Sequence, residues 1–183
     1  MGLPLRKLLR GAVLAALLAG TAAAEPLRVA AWVAPLSRDG PGLLLRDLLD
    51  GEDAPTKAAL TVIAAARADL LLLMNLDWDA DGAALDALAT RLAEAGLDYP
   101  HRLALRPNAG EPTGLDMDGD GRLGTPRDAQ GYGRFRGDGG MAILSRFPLG
   151  EPRDLSSLLW RDLPGARLPM RDRTPFPSEA AQA

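Results

Sequence analysis

Ala68-Asp69-Leu70-Leu71-Leu72-Leu73-Met74-Asn75-Leu76-Asp77-Trp78-Asp79 is an apolar run that ends abruptly in polar side chains. Leu70 to Leu73 holds nothing polar, which predicts an interior strand covered on both faces. The run is entered from Thr56 to Arg67, an alanine-rich stretch without a breaker that follows the helix-start signature Asp53-Ala54-Pro55. Directly after the strand comes Asn75 to Asp81. Polar groups at the carboxyl end of an interior strand are where layered α/β proteins place chemistry. An aspartate-rich turn capping the next helix accounts for the same residues more simply, since no nucleophile or base accompanies them.

Upstream, Leu27 to Val33 (LRVAAWV) reads as a first strand, Ala34 to Gly42 as a loop, and Leu43 to Leu49 as a short amphipathic turn or helix. Downstream, Asp81-Gly82 opens a helix over Ala83 to Ala95. Leu85, Leu88 and Leu92 fall on one stripe there, and Gly96 closes it. His101 to Leu105 reads as a further strand. Strands alternating with helices predict a layered α/β domain. From Pro107 onward the chain holds 21 glycines and prolines in 77 residues, against 14 in the first 106, which predicts long loops. One strand, Met141 to Ser145, interrupts them. Residues 170–183 show no packing pattern and are expected to fray. Trp32, Trp78 and Trp160 are expected to be packing residues.

The amino terminus has the layout of a signal peptide. Arg6, Lys7 and Arg10 precede an apolar run from Gly11 to Ala19, and Ala22-Ala23-Ala24 offers small side chains for cleavage after Ala24. The expectation is a signal peptide over residues 1–24, a domain over 25–169, and an exported, periplasmic or extracellular protein. The run is too short for a membrane anchor. The remaining chain carries 24 acidic and 18 basic residues, so it has no general attraction for nucleic acid or anionic lipid. Absence of cysteine excludes disulfides, thiol nucleophiles and thiolate metal sites. His101 is the one histidine, which excludes a site needing two imidazoles from this chain, and its place at a strand start points to a structural role.

The most chemically pointed segment is Asp116-Met117-Asp118-Gly119-Asp120-Gly121-Arg122-Leu123-Gly124. Aspartates at positions one, three and five and glycine at six reproduce the first two-thirds of a calcium loop of EF-hand type. Asp116, Asp118, Asp120 and the backbone carbonyl of Arg122 are the candidate calcium ligands. Position twelve, which should supply a bidentate carboxylate, is Arg127, with Asp128 one residue late. Pro112, Gly114 and Pro126 leave no room for flanking helices. A solvated Asp/Gly turn is the alternative. Arg134, Arg136 and Arg146 are the candidate phosphate contacts, since a guanidinium matches phosphate bidentately.

Taken in order, LRVAAWV, SRDGPGLLLRDLLDGED, ADLLLLMNLDWD, GLDMDGDGRLG, GYGRF and GGMAILSRFPL resemble the endonuclease/exonuclease/phosphatase superfamily, and most closely its exported bacterial branch. The likeness runs from about Leu27 to about Pro177. It implies a four-layered α+β sandwich, two mixed sheets face to face with helices outside. The implied activity is hydrolysis of phosphodiesters or phosphomonoesters with magnesium or manganese.

The resemblance also locates departures. Where the family's first strand ends in an asparagine, this chain has Val33. Asn75 stands where the family's second strand delivers a metal-ligating glutamate, and Gly139 where a tyrosine precedes the GMAILS-type strand. Valine offers no side-chain oxygen, and a neutral amide binds a hard dication less well than a carboxylate. The family's later Asp-x-Asn and Ser-Asp-His motifs have no counterpart in these 183 residues. The expectation is therefore a truncated, catalytically inactive member comprising the first sheet, its helices and long loops. Its uncovered sheet face would invite self-association. A calcium-dependent exported binding module and a non-functional gene remnant are the alternatives.

Overall fold

The computed structural model describes residues 26–155, 157–168, 170–171 and 174–175. In chain order the elements are β1 (Val29–Leu36), α1 (Leu43–Asp50), α2 (Ala54–Ala66), β2 (Leu70–Leu76), α3 (Ala83–Glu94), β3 (His101–Leu103) and β4 (Gly140–Ser145). They form one mixed four-stranded sheet in the order β1-β2-β4-β3. β1 runs parallel to β2, while β4 is antiparallel to both β2 and β3. A two-residue pair, β5 (Met170–Arg171) with β6 (Thr174–Pro175), stands apart from it.

Strand alternation divides the sheet into two unequal faces. Leu71 and Leu73 of β2, Ala34 and Leu36 of β1, and Ala142 and Leu144 of β4 are buried. They share one core with Leu44 and Leu48 of α1, Ala59 and Ile63 of α2, and Leu85, Leu88 and Leu92 of α3. Each fully buried leucine is worth about 1.5–3 kcal/mol relative to exposure. Asp53 starts α2 by accepting the Thr56 N–H at 2.8 Å, with Pro55 in the first turn. Asp79 does the same for α3, accepting the N–H groups of Ala83 at 2.8 Å and Ala84 at 2.9 Å.

The other face carries Val29, Ala31 and Val33 of β1, Leu70, Leu72 and Met74 of β2, and Met141 and Ile143 of β4. Val33 is 63% exposed and Met141 57%. This corrects the expectation of a strand covered on both faces. Four leucines in a row send alternate side chains to opposite sides, but the helices pack on only one of them. Leu72, Leu103, Met141, Ile143 and Leu155 line a shallow cavity of about 520 Å³ on the open side.

Boundaries shift in three places. β1 continues through Pro35, where a loop was expected, because its pairing with β2 becomes irregular between Val33 and Leu36 and an edge strand tolerates proline there. β2 runs on to Leu76, so Asn75 lies inside the strand rather than after it. β3 stops at Leu103. Trp32 packs against the core, but Trp160 is 65% exposed and is not a packing residue. The signal-peptide segment and all of the tail except β5 and β6 lie outside the described residues. Among the described residues no helix is long and apolar enough to cross a membrane.

Candidate functional site

Three chain segments meet at the carboxyl end of β2: Ser37 and Arg38 leaving β1, Asn75 and Asp77 at and beyond the end of β2, and Asp138 with Gly139 entering β4. Gly137 allows the last segment its approach. Its φ is 95°, and a Cβ there would sit 2.2 Å from the Trp78 carbonyl oxygen. The Trp78 N–H donates to the Gly137 carbonyl at 2.8 Å.

Asp77 is buried. One carboxylate oxygen accepts the Arg38 N–H at 2.7 Å, and the other accepts the Gly139 N–H at 3.1 Å. Burial pushes its pKa up against those hydrogen bonds, and the neighbouring Asp138 charge adds to the rise. Asp138 accepts the Ser37 hydroxyl at 2.8 Å, the Arg134 N–H at 2.9 Å and the Arg134 Nε–H at 3.1 Å. Burial works to raise its pKa too, but the Arg134 guanidinium and backbone amide outweigh it and hold the carboxyl below its ordinary value.

Asn75 is turned by its backbone into the left-handed region, φ 61°, and its Nδ2 donates to the Ala34 carbonyl at 2.8 Å. A Cβ on Gly139 would lie 3.2 Å from Asn75 Oδ1. Asn75 and Gly139 are thus neighbours. Val33, paired with Met74 on the open face, projects away from the core.

The three candidate phosphate-binding arginines are not brought together. Arg134 is engaged by Asp138, Asp39 and the Arg38 carbonyl. Arg136 lies 3.6 Å from Glu111. Arg146 pairs with Asp69 at 2.9 Å, at the opposite end of β2 from Asn75. Arg38 is the cation that sequence reasoning missed. Its side chain is only 15% exposed. The guanidinium donates to Asp47, Asp53, Thr56 and two backbone carbonyls, tying the end of β1 to α1 and α2.

Asp116, Asp118 and Asp120 do converge: one carboxylate oxygen from each lies within 4.8 Å of the others. Asp116 also accepts the N–H groups of Gly119, Asp120 and Gly121 at 2.7–3.1 Å, and Asp120 accepts that of Arg122 at 2.8 Å. Arg127, at the position of the missing ligand, reaches to 3.5 Å from Asp118. Asp128 is no late ligand. It is buried, and it accepts the N–H of Met117 at 2.9 Å and of Thr125 at 2.8 Å. Those amide bonds, the Met117 one foremost, hold its carboxyl below the ordinary value.

The sequence profile of the Endonuclease/Exonuclease/phosphatase family matches residues 42–180. The chain belongs to that family. No curated protein and no solved structure matches it. The mixed sheet with its three helices agrees with the α+β character of the family, which is of phosphoesterase type. Asn75 and Gly139 fall inside the matched residues; Val33 precedes them.

The family uses divalent metal, and the tip of β2 does not fit one. It presents a neutral amide whose nitrogen is committed to Ala34, and two buried carboxylates, Asp77 bonded to two backbone amides and Asp138 bonded to Ser37 and paired with Arg134. A hard dication seeks several anionic oxygens converging on one point. The loop at 116–120 fits better, with three convergent carboxylates, although Arg127 supplies positive charge where a fourth oxygen donor belongs.

Proposed function

We propose that this chain is an exported member of the endonuclease/exonuclease/phosphatase family that does not itself hydrolyse phosphoesters. Family chemistry is in-line attack of a metal-activated water on phosphorus, which requires the ion to be held by anionic oxygen beside the scissile bond. One observation carries the proposal: at the tip of β2 Asn75 replaces the carboxylate and its amide is bonded to the Ala34 carbonyl. Exposed Val33 and side-chain-free Gly139 offer no oxygen in compensation. Export is supported by the basic start, the Gly11–Ala19 apolar run and the small residues before Glu25. The open sheet face suits the four-layered sandwich of the family, in which a second sheet packs on that side.

The test is an assay of the purified protein on an aryl phosphodiester with magnesium or manganese. No turnover above the metal-only blank is expected. Turnover that a chelator abolishes, and that Asn75→Ala also abolishes, overturns the proposal.

The convergence of Asp116, Asp118 and Asp120 favours a second reading, an exported module that binds calcium weakly. A calcium-dependent rise in melting temperature, lost in Asp118→Ala, supports it. No shift at millimolar calcium removes it.

A further inference from the structure

The strand register sets the open face of the sheet out in three rows. Ala31, Leu72, Ile143 and Leu103 form the middle one, between a row that starts at Val29 and a row that starts at Val33. No aspartate, glutamate, lysine or arginine stands in any of them. The one hydroxyl, that of Ser145, is turned to the Phe147 carbonyl at 2.7 Å. Four strands about 4.8 Å apart and three rows about 6.7 Å apart give the face about 400 Å² in projection. Uncharged surface of that size marks a place of association. Its relief is uneven. At one edge β1 stands out, with Val29 and Val33 each 63% exposed and the small Ala31 between them. Towards the other edge, the stretch from Arg153 to Leu155 closes the cavity of about 520 Å³ over β3 and β4, and Arg106, Arg153 and Asp154 stand around it.

We propose that a second copy of this chain covers the face, sheet against sheet, so that two chains together make a helix–sheet–sheet–helix sandwich. A ridge and a recess at opposite edges of one face are self-complementary. A two-fold axis along the strands, midway between two facing sheets, lays β1 of each copy over β3 and β4 of the other. The exposed valines of β1 then enter the recess twice over, and Ala31 leaves room for Leu103 of the second copy. Facing sheets lie about 10 Å apart with their strands within about 30°, which this arrangement satisfies. No charge from the rows is buried, and the mixed charges around the cavity form a wet rim. Two faces with their rims amount to roughly 1,000 Å², the lower limit of a specific interface, so a micromolar dissociation constant is expected. The inference takes the four-layered arrangement from the proposed family fold and owes nothing to the inactivity of the β2 tip.

The experiment is sedimentation equilibrium of the purified protein from about 1 to 200 μM, with cross-linking to fix the arrangement. The parent is expected to pass from the mass of one chain to that of two, with a midpoint in the micromolar range. Val33→Lys places a charge on an already exposed position of the edge strand, so it should fold as the parent does and dimerise at least tenfold more weakly. Ala31→Lys, on the same strand, repeats the test should Val33→Lys fail to fold. The chain holds no cysteine, so introduced thiols report without background. Val33→Cys protein mixed with Leu105→Cys protein should be joined by a short bismaleimide, and neither variant alone should be. Cross-linking of Val33→Cys to itself with none in the mixture overturns the arrangement, since it means that β1 meets β1. A single-chain mass at 200 μM overturns the inference, because a segment of the same chain or a different protein would then be what covers the face. So does mass that grows without limit. Phosphodiester turnover by the unaltered protein would sink the proposed function and leave the dimer standing, so the two failures are distinguishable.

Discussion

The tip of β2 and the loop at 116–120 are both rich in aspartate, and they spend it in opposite ways. At the tip, the Asp77 and Asp138 carboxylates are buried and bonded to backbone amides, Ser37 and Arg134. In the loop, three carboxylates converge near the surface with oxygens close enough to share an ion. The number of acids near a place therefore says little about metal binding. What counts is whether enough anionic oxygens converge on one point, and among the described residues only the loop brings three carboxylates together in that way. By that measure the location implied by family likeness is the poorer of the two.

The largest effect expected from breaking this contrast comes from the loop's anchor rather than its ligands. Asp128→Ala leaves two amide donors without their acceptor, and about 3 kcal/mol of stability should be lost, read by denaturant unfolding. A loss below about 1 kcal/mol would show that the anchor matters little. Next comes the ion itself. Calcium at a hundredfold excess over its dissociation constant should stabilise the protein by about 2.7 kcal/mol, and Asp118→Ala should remove that shift. Substituting Arg127→Glu restores a carboxylate at the twelfth position and withdraws a cation 3.5 Å from Asp118. Isothermal titration should find calcium bound at least tenfold more tightly, about 1.4 kcal/mol; unchanged affinity would mean that position is not part of the cation shell.

The smallest effect is in proton titration, and its sign separates the two regions. Burial raises the pKa of Asp77, so its contribution to stability is fully present below the unfolded value, near ~4, and is lost as pH rises through the folded value. Asp128 is depressed by its amide donors, so its contribution is present above ~4 and is lost as pH falls through the folded value. Carboxyl resonances followed by NMR should give a midpoint for Asp77 above, and for Asp128 below, that of an ordinary aspartate. The reverse order would contradict the burial of Asp77 and the amide bonds accepted by Asp128.

Local patterns made much of this legible in the sequence. The Leu85-Leu88-Leu92 stripe, the Asp53-Pro55 start and the Leu70–Leu73 run each specify an element through nearest neighbours, and each element is present. Asp79 caps α3 as an aspartate-rich turn should. What stayed hidden depends on distant pairing. Ser37 meets Asp138 across 101 residues and Arg38 reaches Asp53 across 15, and no periodicity encodes such meetings. The register breaks at Asn75 arise against two neighbouring strands at once, so β2 read as a plain strand ending before it. Asp128 was readable after all: Thr125-Pro126-Arg127-Asp128 has the spacing of a capping box, and the Asp128 carboxylate reaches back to the Thr125 N–H as such a box requires.

The contrast between the two regions comes down to how many divalent ions the protein holds, and where. Manganese titration followed by water-proton relaxation, on the unaltered protein and on Asp118→Ala and Asn75→Ala, counts them directly. The account predicts a single weak uptake that survives Asn75→Ala and vanishes in Asp118→Ala. An uptake that persists in Asp118→Ala and disappears in Asn75→Ala would put the ion at the tip of β2 and contradict it.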